Sequence, residues 1–139
     1  MDCHLADRDG VITMAEANEL GVSRRQVQNL IDNGHWQPLA RGVYLSAQHH
    51  LTDAARLRIA VATYHGTADR TAAAWWHGLL DDLPPVISLS VPVNSRTGAR
   101  GAIPVQCMRR SYPAEDLELL RGVPTVRTPL AVLGAAGAA

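Results

Sequence analysis

The residues with the clearest chemical potential lie close together: Ser23, Arg24, Arg25, Gln28 and Asn29, with Arg41 a little further on. An arginine carries a planar fork of N–H donors that suits the outer edge of guanine. A glutamine or asparagine amide suits adenine in the same two-point manner. A serine at the head of a helix, with the first unsatisfied backbone N–H groups beside it, is a natural ligand for phosphate. The set therefore matches double-stranded DNA, with Arg25, Gln28 and Asn29 for base edges and Ser23 and Arg24 for the backbone. Each of these residues alone is an ordinary solvated side chain, so the case rests on what would hold them together.

Two short helices and a hairpin are expected to do so. Thr13 and Glu16 have capping-box spacing at the start of TMAEANEL, and Gly21 suits the left-handed residue that ends a helix. Ser23 and Gln26 repeat the capping box at the start of RRQVQNLIDN, which runs up to Gly34. At roughly 100° per residue, Val27, Leu30 and Ile31 share one stripe while Arg25, Gln28, Asn29 and Asp32 point the other way. One edge anchors and the other reads. The small residues Ala15 and Ala17 suit a tight crossing of the two helices. HWQPLA and VYLS then read as a hairpin about Arg41-Gly42, where a wing belongs. Arg41 at its tip would reach the phosphate backbone or the minor groove. Capped helix, glycine turn, capped helix, tryptophan and hairpin follow in the order of a winged helix-turn-helix.

Bulk composition is compatible with this reading but does not supply it. The chain has 139 residues, 47% of them hydrophobic, with 13 basic and 13 acidic side chains and no net charge, so any affinity for nucleic acid must come from local placement. All the cations are arginine. Cys3 and Cys107 match no metal or redox spacing, as in a reduced cytosolic protein. Charges in MDCHLADRDG replace the apolar core of a signal peptide, and no apolar run reaches the ~18–20 residues that span a bilayer. A cytoplasmic protein without membrane contact is expected.

Past SAQHHL (46–51) the pattern changes, so we expect an α+β protein in two parts. Residues 1–48 form the winged helix-turn-helix, and residues 49–139 a small α/β domain with an antiparallel sheet. Thr52 caps a helix to about Tyr64. A shorter helix over roughly 70–80 buries Trp75, Trp76 and Leu79 or Leu80. VISLSV (86–91) is a strand expected to pair antiparallel with IPVQCMR (103–109) across a loop at 94–101. Residues 117–127 suggest a strand pair about Gly122, and Thr128-Pro129 opens a last helix. The apolar end LGAAGAA suggests a chain truncated relative to a longer protein, or an end packed on a partner.

Other chemistry is weaker. Arg96, Arg100, Arg109 and Arg110 make residues 92–112 the most basic stretch, with no acid among them. This is either a second phosphate-contacting or docking surface or a solvated loop. The histidines show no ligand spacing, Trp75-Trp76 reads as a core anchor, and Asp81-Asp82 precedes a Pro-Pro turn. No nucleophile triad or phosphate loop stands out. Neither catalysis nor any cofactor or metal is expected.

The motifs Gly10–Thr13 (G-x-I-T), Gly21–Arg24 (G-V-S-R), Gly34–Trp36 (G-x-W) and Arg41–Tyr44 (R-G-V-Y) resemble the N-terminal domain of AbiEi-family antitoxins of the actinobacterial type. The segments AAAWWHGLLDDLPPVISLSVP and GVPTVRTPLAVLGAA resemble their middle part more loosely. The resemblance implies a winged helix that represses its own type IV toxin–antitoxin operon, binds inverted repeats as two copies, and is paired with a nucleotidyltransferase-like toxin. Many similar proteins continue into a nuclease-like or longer C-terminal domain, and this sequence stops before either. The alternative is a protein-interaction or targeting fragment of such a nuclease-linked relative, docking through residues 51–139.

Overall fold

Thr13 ends one element and begins the next. In the computed structural model, which describes residues 2–93 and 101–127, a first helix α1 (Asp2–Asp7) leads through Gly10 into strand β1 (Val11–Thr13). Thr13 also caps helix α2 (Met14–Glu19), accepting from the Glu16 N–H while its own N–H donates to Glu16 Oε1, both at 3.1 Å. Helix α3 (Arg24–Asp32) follows, and then strands β2 (Trp36–Ala40) and β3 (Val43–Ser46). Both expected capping boxes form. Strand β1 was not expected: at three residues it is too short to show a two-residue period.

The three strands form an antiparallel sheet in the order β1-β3-β2. Side chains alternate across it. Ile12, Trp36 and Tyr44 face α2 and α3, where they pack with Leu5, Ala17 and Val27. Val11, Leu39, Val43 and Leu45 face the other way and join the larger core. Burial on both faces explains why VYLS is covered at every position. Pro38 is tolerated because β2 is an edge strand and its register shifts between Pro38 and Ala40.

Helix α4 (Asp53–Tyr64), capped by Thr52 as expected, lies against that second face. Beyond it come β4 (Thr67–Ala68), α5 (Arg70–Trp76), β5 (Ile87–Val91), β6 (Val105–Arg109), and the hairpin β7 (Leu117–Leu120) and β8 (Val123–Val126). The last five strands form a second sheet in the order β6-β5-β4-β8-β7. The fold is α+β, with an antiparallel sheet first and a mixed sheet after it.

Two expectations are corrected. Strands β5 and β6 pair in parallel, with Ile87 opposite Val105 and Val91 opposite Arg109. A parallel pair needs a crossover rather than a tight turn. Here the chain passes the first sheet before β6, since the Ala102 N–H donates to Leu39 O at 2.8 Å and Ile103 is buried in the larger core. Second, α5 ends at Trp76 instead of running to about residue 80. Gly78 (φ +81) and Leu79 close it through N–H bonds to Trp75 O and Ala74 O, which leaves Leu79 and Leu80 exposed and Trp75 only partly covered. Thr128-Pro129 and the helix expected from them lie outside the described residues. No helix among the described residues is long and apolar enough to cross a membrane.

Candidate nucleic-acid interface

The turn between α2 and α3 is built from backbone hydrogen bonds. Leu20 caps α2; the Gly21 N–H donates to Asn18 O at 3.1 Å and the Val22 N–H to Ala17 O at 2.9 Å. This paired closure needs a left-handed residue, and Gly21 supplies it at φ +86. Val22 thereby turns back onto the small core. Helix α3 ends the same way, through Gly34 to Ile31 O and His35 to Leu30 O. Ala17 is fully buried at the crossing of the helices, whereas Ala15 is exposed and plays no part in it.

Helix α3 is held by one edge. Val27 is fully buried, and the partly covered Leu30 and Ile31 pack on the same cluster. Complete burial of a side chain this size contributes roughly 1.5–3 kcal/mol. The opposite edge carries Arg24, Arg25, Gln28, Asn29 and Asp32, all exposed. The side chains of Arg24, Arg25 and Asn29 form no hydrogen bond or ion pair among the described residues. Gln28 does: its Nε2 donates to Asp32 Oδ1 at 2.9 Å, a tie that its sequence position does not announce.

At the head of α3, Ser23 Oγ accepts from the Gln26 N–H at 3.1 Å, and the Ser23 N–H donates to Gln26 Oε1 at 2.7 Å. The hydroxyl hydrogen of Ser23 and the N–H groups of Arg24 and Arg25 remain as open donors at the positive end of the helix. Arg41 lies exposed in the two-residue turn between β2 and β3, beside Gly42 at φ +71. The predicted set is thus divided between one helix edge and one hairpin tip.

The second basic stretch is seen only in part. Arg109 and Arg110 are exposed at the end of β6, where Arg110 lies over the Tyr112 ring at 5.3 Å. Arg96 and Arg100 lie outside the described residues. The Tyr112 hydroxyl donates to Asp69 at 2.7 Å, and this carboxylate is buried as the cap of α5. Burial first, and then the bond to Asp69, push the Tyr112 phenol up to about 12.

A capped helix, a glycine turn, a second capped helix with a polar outer edge and a β-hairpin at its end together define a winged helix-turn-helix. Residues 4–47, this same unit, match the model of a family described as transcriptional regulator, AbiEi antitoxin. No curated protein matches the chain. The family so described is one of antitoxin regulators, not a known enzyme family. The short motifs that carry the likeness meet in space. Trp36 of G-x-W stacks on Tyr44 of R-G-V-Y, with ring centres 5.8 Å apart, and both rest beside Ile12 of G-x-I-T. Gly21, Val22 and Ser23 of G-V-S-R are in turn the stop of α2, the apolar return and the cap of α3.

Proposed function

We propose that the chain is a sequence-specific repressor that reads operator DNA through α3 and autoregulates a toxin–antitoxin operon. The observation that carries this is the exposed edge of α3, where the side chains of two arginines and an asparagine have no partner among the described residues while Val27 fixes the opposite edge. Arg25, Gln28 and Asn29 read bases in the major groove. Ser23, Arg24 and the first-turn N–H groups hold phosphates, and Arg41 reaches the backbone or minor groove from the wing. Residues 1–48 form the reading head and 49–139 the part that supports it; Arg109 and Arg110 add a second phosphate surface alongside Arg96 and Arg100. Two copies bind an inverted repeat with half-sites about 34 Å apart, one helical turn. The protein works in the cytoplasm and counteracts a nucleotidyltransferase-like toxin encoded beside it.

The test is binding to the DNA upstream of its own gene, measured against unrelated DNA over a range of salt. A specific, salt-sensitive complex is expected. Arg25→Ala with Gln28→Ala should remove sequence preference yet keep residual binding, and Arg24→Ala should weaken all sequences alike. Specific binding that survives the Arg25/Gln28 pair of changes overturns the assignment of α3. If no duplex is bound, the protein-interaction reading takes its place.

A further inference from the structure

A cavity of about 750 Å³ opens away from α3, between the α1–β1 turn, α4, α5 and the β7–β8 turn. Its wall brings together three arginines far apart in the sequence: Arg8, Arg58 and Arg121. Arg58 is 92% buried, unusual for a cation on a helix covered along most of its length. It donates from Nε to Asp9 at 2.7 Å and from Nη1 to the Arg121 carbonyl at 2.8 Å. Arg121 lies over the Trp76 ring at 3.9 Å and donates to the Trp76 carbonyl. The Arg8 side chain has no hydrogen-bond or ion-pair partner among the described residues, and its guanidinium rests where a β-carbon on Gly122 would stand.

We infer that this cavity is a binding site for a phosphorylated small molecule of nucleotide size. A guanidinium has five N–H donors. The described partners take two from Arg58, one from Arg121 and none from Arg8, so most of the donor capacity around the cavity is unspent. Arginine forks match phosphate oxygens in pairs. The rest of the wall argues for more than a bare anion. Trp75, a partly covered residue of the wall, brings an aromatic ring of the kind on which a planar base stacks. Asp7, which has no partner among the described residues, offers an acceptor for a sugar hydroxyl or a base amino group. The volume lies within the range of small-molecule sites. An uncharged sugar would leave the arginines unused. Arg121 (φ 50), on the wall, holds a left-handed backbone uncommon for an arginine, and Asp9 (φ 56) holds the same region, which aspartate tolerates better.

This reading does not depend on the one made for α3, and its test keeps them apart. The full chain is titrated calorimetrically with nucleoside 5′-mono- and diphosphates, with inorganic phosphate as comparator. We expect one-site binding of at least one nucleotide, at least tenfold tighter than phosphate. Arg8→Ala, which breaks no described hydrogen bond or ion pair, should weaken it tenfold or more, and Arg8→Lys should recover part of the loss. Arg24→Ala, aimed at DNA, should leave nucleotide affinity unchanged. The inference is overturned if no nucleotide saturates the protein at millimolar concentration, if folded Arg8→Ala binds as the parent does, or if phosphate alone binds equally well. A short single-stranded oligonucleotide that outcompetes every nucleotide would also overturn it, in favour of a nucleic-acid strand.

Discussion

Replacing Gln28 by alanine separates reading from folding. The side chain is exposed and its one described contact is the 2.9 Å bond to Asp32, four residues on. A pair of this kind supports an exposed helix by roughly 0.2–0.5 kcal/mol. Alanine, the better helix former, offsets this by a few tenths of a kcal/mol. Stability should therefore change by less than about 0.5 kcal/mol. Binding should change far more. Asp32 engages one N–H of the Gln28 amide and leaves Oε1 and the second N–H, the acceptor and donor that adenine requires. Losing that two-point contact removes about 1–3 kcal/mol of discrimination, roughly 5- to 150-fold at one A·T pair. The assay is fluorescence anisotropy at fixed salt against the operator and a set of single base-pair substitutions. In the variant, one position should become indifferent to sequence while the others keep their order. Asp32→Ala should relax the same position less, and raise affinity for all DNA by removing a negative charge from the reading edge. A Gln28→Ala variant that weakens every sequence equally, or that loses no discrimination anywhere, refutes the role of this side chain.

Three further outcomes follow from the geometry. Ser23→Ala removes the hydroxyl half of the α3 capping box, leaving the backbone N–H bond to Gln26 Oε1, and should cost about 1 kcal/mol in urea unfolding, with DNA affinity falling further as the edge of α3 frays. Gly21→Ala should cost only the left-handed strain of about 1 kcal/mol, since nothing lies within 4 Å of the added carbon, whereas Gly122→Ala must also displace the Arg8 guanidinium and should cost clearly more. Because the Tyr112 phenol is raised from 10.0 to about 12, its contribution to stability is fully present below pH 10 and lost as pH rises through 12. Tyr112→Phe should flatten that alkaline loss in unfolding curves; an unchanged slope between pH 10 and 12 would refute the linkage.

The first unit was legible because its rules are local. Thr13 with Glu16, Ser23 with Gln26, and Gly21 and Gly34 each act within a few residues, and all four sit where their spacing puts them. Strand β1 was hidden because Thr13 serves as strand end and helix cap at once. The pairing of β5 with β6 is decided by the path of the chain between them, and the anchor at Leu39 is more than sixty positions from Ala102. The arginine cavity is just as non-local, joining residues 8, 58 and 121. Its one sequence signal was Arg58, a cation set between Leu57 and Ile59 in the apolar middle of its helix.

The sheet β1-β3-β2 has no face to spare. A fragment cut after Ala47, where the family match stops, would keep the α3 and hairpin groups proposed to touch DNA but strip the cover from Val11, Leu39, Val43 and Leu45. Such a piece would be sticky rather than merely smaller, and its poor behaviour would say nothing about its ability to read a sequence. By the same token, lengthening the tether at 47–51 would not loosen the head, because α4 grips it through packed aliphatic side chains and not through the linker.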